Sequence, residues 1–183
     1  MTKNHSFLKN AILGKKVGAI SVSSKYVIKR VLKEIEGENY KNIVEYGPGD
    51  GVLTRELLKL LPRDGKLVVI ETDNNFIKHL EKIRDKRLTV IRGKMQDVAS
   101  DLRKHIKNVD IVVSSVPFSL IKKGERDDMV RDTSRSLKSE GKFIIFHQYS
   151  LIMLKYLKKY FKNTDATFEP RNIFPCFVMV SKK

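Results

Sequence analysis

Apolar and polar positions follow two rhythms along this chain. Short, almost fully apolar runs recur at Asn42-Ile43-Val44-Glu45-Tyr46, Lys66-Leu67-Val68-Val69-Ile70-Glu71, Leu88-Thr89-Val90-Ile91, Val109-Asp110-Ile111-Val112-Val113-Ser114 and Gly141-Lys142-Phe143-Ile144-Ile145-Phe146. All five read as strands, and the second, 66–71, is apolar enough on both faces to suit one buried in a parallel sheet. Between them lie stretches with helical periodicity. Val27, Ile28, Val31, Leu32 and Ile35 form one apolar face, ending at Gly37, with Ser21 or Ser23 as the expected N-cap. Val52, Leu53, Leu57, Leu58 and Leu61 form another. Further helices are predicted over 74–84, 97–107, 122–137 and 151–161, and two last strands over about 164–169 and 174–181. The short Pro170-Arg171-Asn172 link between these strands favours an antiparallel pair. Strands alternating with helices predict an α/β fold, with a doubly wound, mostly parallel seven-stranded sheet and an antiparallel last strand. No repeat, low-complexity stretch or linker composition divides residues 1–183, so a single domain is expected.

The first apolar run leads directly into Gly47-Pro48-Gly49-Asp50-Gly51 and then a helical pattern. Glycine lets backbone approach a ligand and tolerates positive φ, and the helix start behind it presents unpaired N–H groups. A site for a nucleotide-like cofactor follows, against the plainer reading of a glycine-rich turn. The spacing is not the dinucleotide G-x-G-x-x-G. It is Glu45-x-Gly47-x-Gly49-x-Gly51, which resembles motif I of the class I S-adenosylmethionine (SAM) methyltransferases, a Rossmann-like fold.

Residues downstream extend that site. Glu71 closes the second run, where an acid can accept both ribose hydroxyls of an adenosine, with Thr72 and Asp73 beside it. After the third run stand Met95, Gln96 and Asp97. In SAM enzymes an acid here often faces the adenine amine; Asp97 is the candidate, or else a helix N-cap, and Met95 or Gln96 flanks the ring. Glu45 is placed to orient the methionine end or to bond loop N–H groups. With Tyr46 and Ser114 these complete the expected SAM-binding set.

Charge adds a partner class. Lys plus Arg number 37 against 21 Asp plus Glu, a formal net charge of +16, and residues 1–33 hold no acid. Such an excess implies a polyanionic partner, an anionic membrane surface or nucleic acid such as RNA. Phe7, Leu8, Ala11 and Ile12 share one face of a basic segment at about 5–14, which reads either as an interfacial helix or as a helix packed on the domain. Cys176 is the only cysteine, which excludes an internal disulfide and a cysteine metal cluster. No apolar run approaches the ~20 residues of a membrane span, and no signal-peptide pattern opens the chain. A cytoplasmic protein, peripherally membrane-associated, is expected.

Taken together, Gly18-Ala19-Ile20-Ser21-Val22-Ser23-Ser24, the glycine loop, Ser114-Ser115-Val116-Pro117-Phe118, Phe146-His147-Gln148-Tyr149 and Arg171-Asn172-Ile173-Phe174-Pro175 resemble the bacterial phospholipid N-methyltransferases, of the type that methylates phosphatidylethanolamine. The chain departs from that family at Val22, usually Pro, and at Ser115-Val116, usually Gly-Leu. The resemblance implies transfer of a SAM methyl to a neutral lipid amine, phosphatidylethanolamine or a related headgroup such as ornithine. Tyr149 and His147 are then the candidate proton acceptors, with Ser115 beside them; the other readings are Tyr149 as a contact to the lipid phosphate and His147 as a satisfied structural histidine, the latter favoured over a base. Ser24, Tyr26, Pro117, Phe118 and Arg171 are the candidate contacts to substrate. The competing reading is an rRNA adenine-N6 dimethyltransferase-like enzyme. That family carries Asn where Ser115 stands and normally continues into a helical domain beyond the last strand. A third reading, a noncatalytic SAM-fold module, is opposed by the intact loop with Glu71 and Asp97.

Overall fold

A computed structural model describes residues 24–148, 150–172 and 175–183. The segment at about 5–14, residues 18–23 and Tyr149 lie outside them.

The chain runs α1 (Lys25–Lys33), β1 (Asn42–Tyr46), α2 (Val52–Leu60), β2 (Lys66–Glu71), α3 (Asn74–Leu80), β3 (Leu88–Arg92), α4 (Met95–Ser100), α5 (Leu102–His105), β4 (Val109–Ser114), a 3₁₀ turn (Phe118–Leu120), α6 (Lys123–Ser136), β5 (Leu137–Gln148), α7 (Leu154–Tyr160), β6 (Asn163–Glu169) and β7 (Cys176–Lys182). The strands form one sheet in the order β3-β2-β1-β4-β5-β7-β6. β1 to β5 pair in parallel, while β7 runs antiparallel to both β5 and β6. The expected fold class is therefore the observed one.

Side chains alternate across the pleat, so each strand feeds two cores. Val44, Tyr46, Val68, Ile70, Val112, Phe143, Ile145 and Met179 pack with α4, α6 and α7 on one face. Ile43, Leu67, Val69, Ile111, Val113, Ile144, Phe146 and Val178 pack with α1 and α2 on the other.

Several boundaries differ from the expected ones for local reasons. Ser24, rather than Ser21 or Ser23, caps α1; its Oγ accepts from Val27 N–H at 3.4 Å. The predicted helix 97–107 is two short helices broken at Asp101, and its first turn reaches back to Met95. Asp97 thus lies inside the first turn of α4, and the N-cap is Lys94. The fifth strand begins at Leu137; Glu140 adopts a positive φ of 65° and the pairing with β4 shifts register there.

Candidate active site

In an open, doubly wound sheet, ligands sit beyond the carboxyl ends of the strands where the winding reverses. Here that point lies between β1 and β4, which are neighbours with helical crossovers leaving to opposite sides. A cavity of about 1000 Å³ opens there, between the loops after β1, β2, β3, β4 and β5.

Its floor is the glycine loop. Gly47, Gly49 and Gly51 have φ of 69°, 57° and 77°, conformations that other residues adopt at a cost. At Gly47 a Cβ would also stand 2.9 Å from Val116 Cγ2. Two strand ends brace this residue: its N–H donates to Ile70 O, and Ser115 Oγ donates to its carbonyl at 2.6 Å. Ser115 N–H donates to Tyr46 O, joining the tips of β1 and β4. Ser115 thus shapes the loop with its own proton, where the sequence placed it among the catalytic candidates.

Glu71 organises the next wall. Its Oε2 accepts from Gly49 N–H at 3.1 Å, and its Oε1 accepts from Thr72 N–H at 2.7 Å and Asp73 N–H at 2.9 Å. The loop N–H role that Glu45 was offered therefore falls to Glu71. Glu45 is buried beneath the loop and accepts from Thr54 Oγ1 at 2.6 Å. Burial raises its carboxyl to about 7, against the lowering effect of the Thr54 hydrogen bond, with Glu71 and Asp50 adding smaller upward pushes. An acid whose folded-state pKa lies above its unfolded value destabilises the fold as pH rises between the two. Glu45→Gln should therefore match the parent stability near pH 4.5. By pH 8 it should exceed it by up to about 3 kcal/mol, read as denaturation midpoints at both pH values.

The cavity brings together Glu45, Gly47, Gly49, Glu71, Thr72, Met95, Gln96, Ser115, Pro117 and His147 of the predicted set. Others lie elsewhere. Tyr46 is fully buried in the core, its hydroxyl 3.1 Å from Thr133 Oγ1, and burial raises its phenol. Gly51 caps α2, packed on Leu80 and Arg55. Ser114 is buried and accepts from Val116 N–H. Asp97 is exposed on the outer side of α4, whereas Gln96 lines the cavity. Phe118 is fully buried, its ring 6.1 Å from that of His147.

The remaining wall of the cavity is built by the second half of the chain. His147, at the tip of β5, is 7% exposed, and its Nδ1 has no hydrogen-bond partner among the described residues. Burial lowers its pKa, with Arg126 acting in the same direction. Cys176 beside it is buried, which pushes its thiol up to about 12.

Of the predicted substrate contacts, Ser24, Tyr26 and Arg171 do not line the cavity; they adjoin Asn172, which does, and Ser24 N–H donates to Asn172 Oδ1 at 2.9 Å, tying α1 to the β6–β7 link. Arg171 lies 4.6 Å over the Tyr26 ring and makes two side-chain bonds to Glu169, which is fully buried. Arg30 donates to the same carboxylate at 3.2 Å. The Arg171 hydrogen bonds come first among the causes that hold Glu169 down at about 2. Two cations on one carboxylate leave this rim net positive. The sequence pointed to Ser24, Tyr26 and Arg171; Arg30, Thr54 and Arg126 it did not, because their partners lie 139, 9 and 7 residues away and no pattern along the chain marks these pairings.

This sheet order, with a glycine loop after the first strand and an acid at the tip of the second, defines a class I SAM-dependent methyltransferase, with SAM as its cofactor. The N-methyltransferase NodS from Bradyrhizobium japonicum shares the fold, with a TM-score of 0.71 at 11% identity over 85% of this chain and 93% of that one. The chain belongs to the ribosomal RNA adenine dimethylase family, whose family model matches residues 15–122. It is also 26% identical to an ornithine lipid N-methyltransferase from Singulisphaera acidiphila over 165 residues, 88% of this chain and 86% of that protein. A ribosomal RNA small subunit methyltransferase A from Blochmanniella pennsylvanica is 25% identical over 118 residues, 62% of this chain but only 43% of that protein. A probable ribosomal RNA small subunit methyltransferase A from Thermococcus sibiricus is 35% identical over 99 residues, 52% of this chain and 35% of that protein. The chain thus spans less than half the length of these rRNA-modifying relatives.

Proposed function

We propose that this protein methylates the amine of a lipid headgroup at an anionic membrane surface, using SAM. One observation carries the reading. The rRNA dimethylase match ends at residue 122, whereas the acceptor wall, with His147, Asn172 and Cys176, lies beyond it. A likeness to the ornithine lipid enzyme across 88% of the chain has to include most of that second half. Ser115, in place of an asparagine, supports the same choice, since its hydroxyl is bonded to Gly47 O.

In this reading Glu71 and Thr72 hold the ribose, Met95 and Gln96 flank the adenine, and Glu45 faces the methionine end. The loop fits such a group: Gly47 leaves the space that a Cβ would close, and the walls beside it are both apolar and hydrogen-bonding. Bound SAM supplies a methyl group on a sulfonium. The remaining work is proximity, orientation and proton removal. The headgroup nitrogen must present a free lone pair as its bond to carbon forms, and it sheds a proton to the crevice. His147, kept neutral by burial, is the proton acceptor in reach. The Arg30–Arg171–Tyr26 rim suits the phosphate or carboxylate of the headgroup. Leu120, 63% exposed, lies at the cavity wall where acyl chains would approach. Among the described residues no helix is long and apolar enough to cross a membrane, and the basic segment at about 5–14 is proposed as the membrane contact.

The test supplies methyl-labelled SAM with vesicles containing phosphatidylethanolamine or ornithine lipid, and in parallel with small-subunit ribosomal RNA. Label is expected in the lipid fraction. Label in RNA alone would reverse the assignment and return the enzyme to the rRNA chemistry of its family.

A further inference from the structure

Among the described residues, two buried side-chain nitrogens lack a hydrogen-bond partner, Arg126 Nε and His147 Nδ1. They belong to one place. Arg126 enters from α6, is 7% exposed, and donates from Nη2 to Ser119 O at 3.1 Å. Ser119 belongs to the 3₁₀ turn that lines the cavity, and Phe118 of the same turn packs on the His147 ring. Arg126 is thus close enough for its charge to bear on His147.

A guanidinium stays charged when buried, and buried cations are normally paired with a carboxylate. Arg126 has no acid partner among the described residues, in contrast to Arg30 and Arg171, which share Glu169. It also stands in the first turns of the 14-residue helix α6, the positive end of the helix dipole. Among the described residues the Ser119 carbonyl is the one hydrogen-bond acceptor of its guanidinium, and a neutral side chain of similar volume would cost less. The arrangement has a use only in relation to the wall in front of it.

We propose that Arg126 is a positioning residue for methyl transfer: it braces the 118–120 turn and holds an uncompensated positive charge behind His147, so that the imidazole and the incoming amine are both kept in their neutral forms. The proposal rests on the reading of His147 as proton acceptor. The crevice is then polarised, with Glu45, Asp50 and Glu71 on the cofactor side and Arg126 behind the acceptor side. A like charge disfavours an ammonium as it disfavours an imidazolium, so the amine enters with its lone pair free to attack carbon, and the proton that His147 takes as the bond forms is passed on to solvent rather than kept. The groups bearing on His147 are the Arg126 charge from α6, which lowers its proton affinity after burial, and backbone hydrogen bonds at Ser150 and Gln148, which raise it; the Cys176 thiol on β7 meets the backbone of His147 and is itself under the influence of Glu169 on β6.

The test follows the His147 imidazole by NMR titration in the full chain without SAM or lipid, its signal assigned by its loss in His147→Gln. Arg126→Met should raise the midpoint clearly, the direction expected when a nearby like charge is removed. Arg126→Lys should leave it within a few tenths of a unit. Arg126→Gln, which loses the same charge but keeps a polar end, serves if the Met variant fails to fold. In lipid assays the acid limb of the rate should move in parallel. A midpoint unmoved in the folded Met or Gln variant, or equal losses of stability in all three variants without a shift, would overturn the proposal and leave Arg126 as a strut for the turn. If the midpoint moves but no lipid is labelled, the inference about Arg126 stands and the lipid reading fails.

Discussion

Glu71→Ala should abolish measurable SAM binding, a loss of at least about 100-fold by calorimetry. The carboxylate is asked to do two things at once. It accepts from Gly49, Thr72 and Asp73 N–H groups, which sets the glycine loop against the tip of β2. It is also the acid proposed for the ribose hydroxyls. Charge-assisted hydrogen bonds contribute about 1.5–3 kcal/mol each, so losing two to the ligand already reaches the stated factor. Glu71→Gln should fall between the parent and the alanine variant. An amide oxygen can still accept from Gly49 or from the Thr72–Asp73 pair, but its NH₂ then confronts the other donor set. Unchanged binding in Glu71→Ala would remove the ribose assignment and leave Glu71 as a purely structural acceptor.

His147→Gln should lower the rate of methyl transfer by about 100-fold or more while leaving SAM affinity within a factor of about two. General-base catalysis commonly contributes 10²- to 10⁴-fold. His147 stands on the proposed acceptor side of the crevice, separated from the loop by the tip of β4, so removing its imidazole leaves the cofactor wall intact. The imidazole is buried and its proton affinity is lowered by that burial, so it is neutral at physiological pH and ready to take a proton. Single-turnover transfer measured at several pH values separates this role from a packing one. A packing defect lowers the rate evenly, whereas loss of the base steepens the dependence on pH, because transfer then waits on the small fraction of amine already free. A rate within a few-fold of the parent would assign proton removal to water or to Tyr149.

The parts legible in the sequence are those whose determinants are local. Five parallel strands, of which the edge strand β3 is only half-buried, the glycine loop and the antiparallel end follow from side-chain periodicity, positive-φ residues and a short connection. Glu71 was identifiable because a strand ends on it. Asp97 shows where local reasoning fails. It stands one residue after Gln96, but one residue is about 100° around a helix, and the starting turn of α4 turns Gln96 to the cavity and Asp97 to solvent. Phe118 was read as lining the crevice, yet the 3₁₀ turn folds its ring inward against His147.

Charge shows the same division. The 37 basic against 21 acidic residues raise the expectation of a polyanionic partner, but composition carries no positions. Only the tertiary structure decides that Arg30 and Arg171 converge on buried Glu169 from 139 and 2 residues away, while Arg126 is buried without an acid partner among the described residues. Local periodicity and loop chemistry determine a parallel sheet and a SAM loop, because each depends on neighbours a few residues apart. The acceptor side depends on which strand lies beside which. The crossover from β4 through α6 to β5 brings Ser119, Arg126 and His147 together, and no pattern along the chain records that meeting.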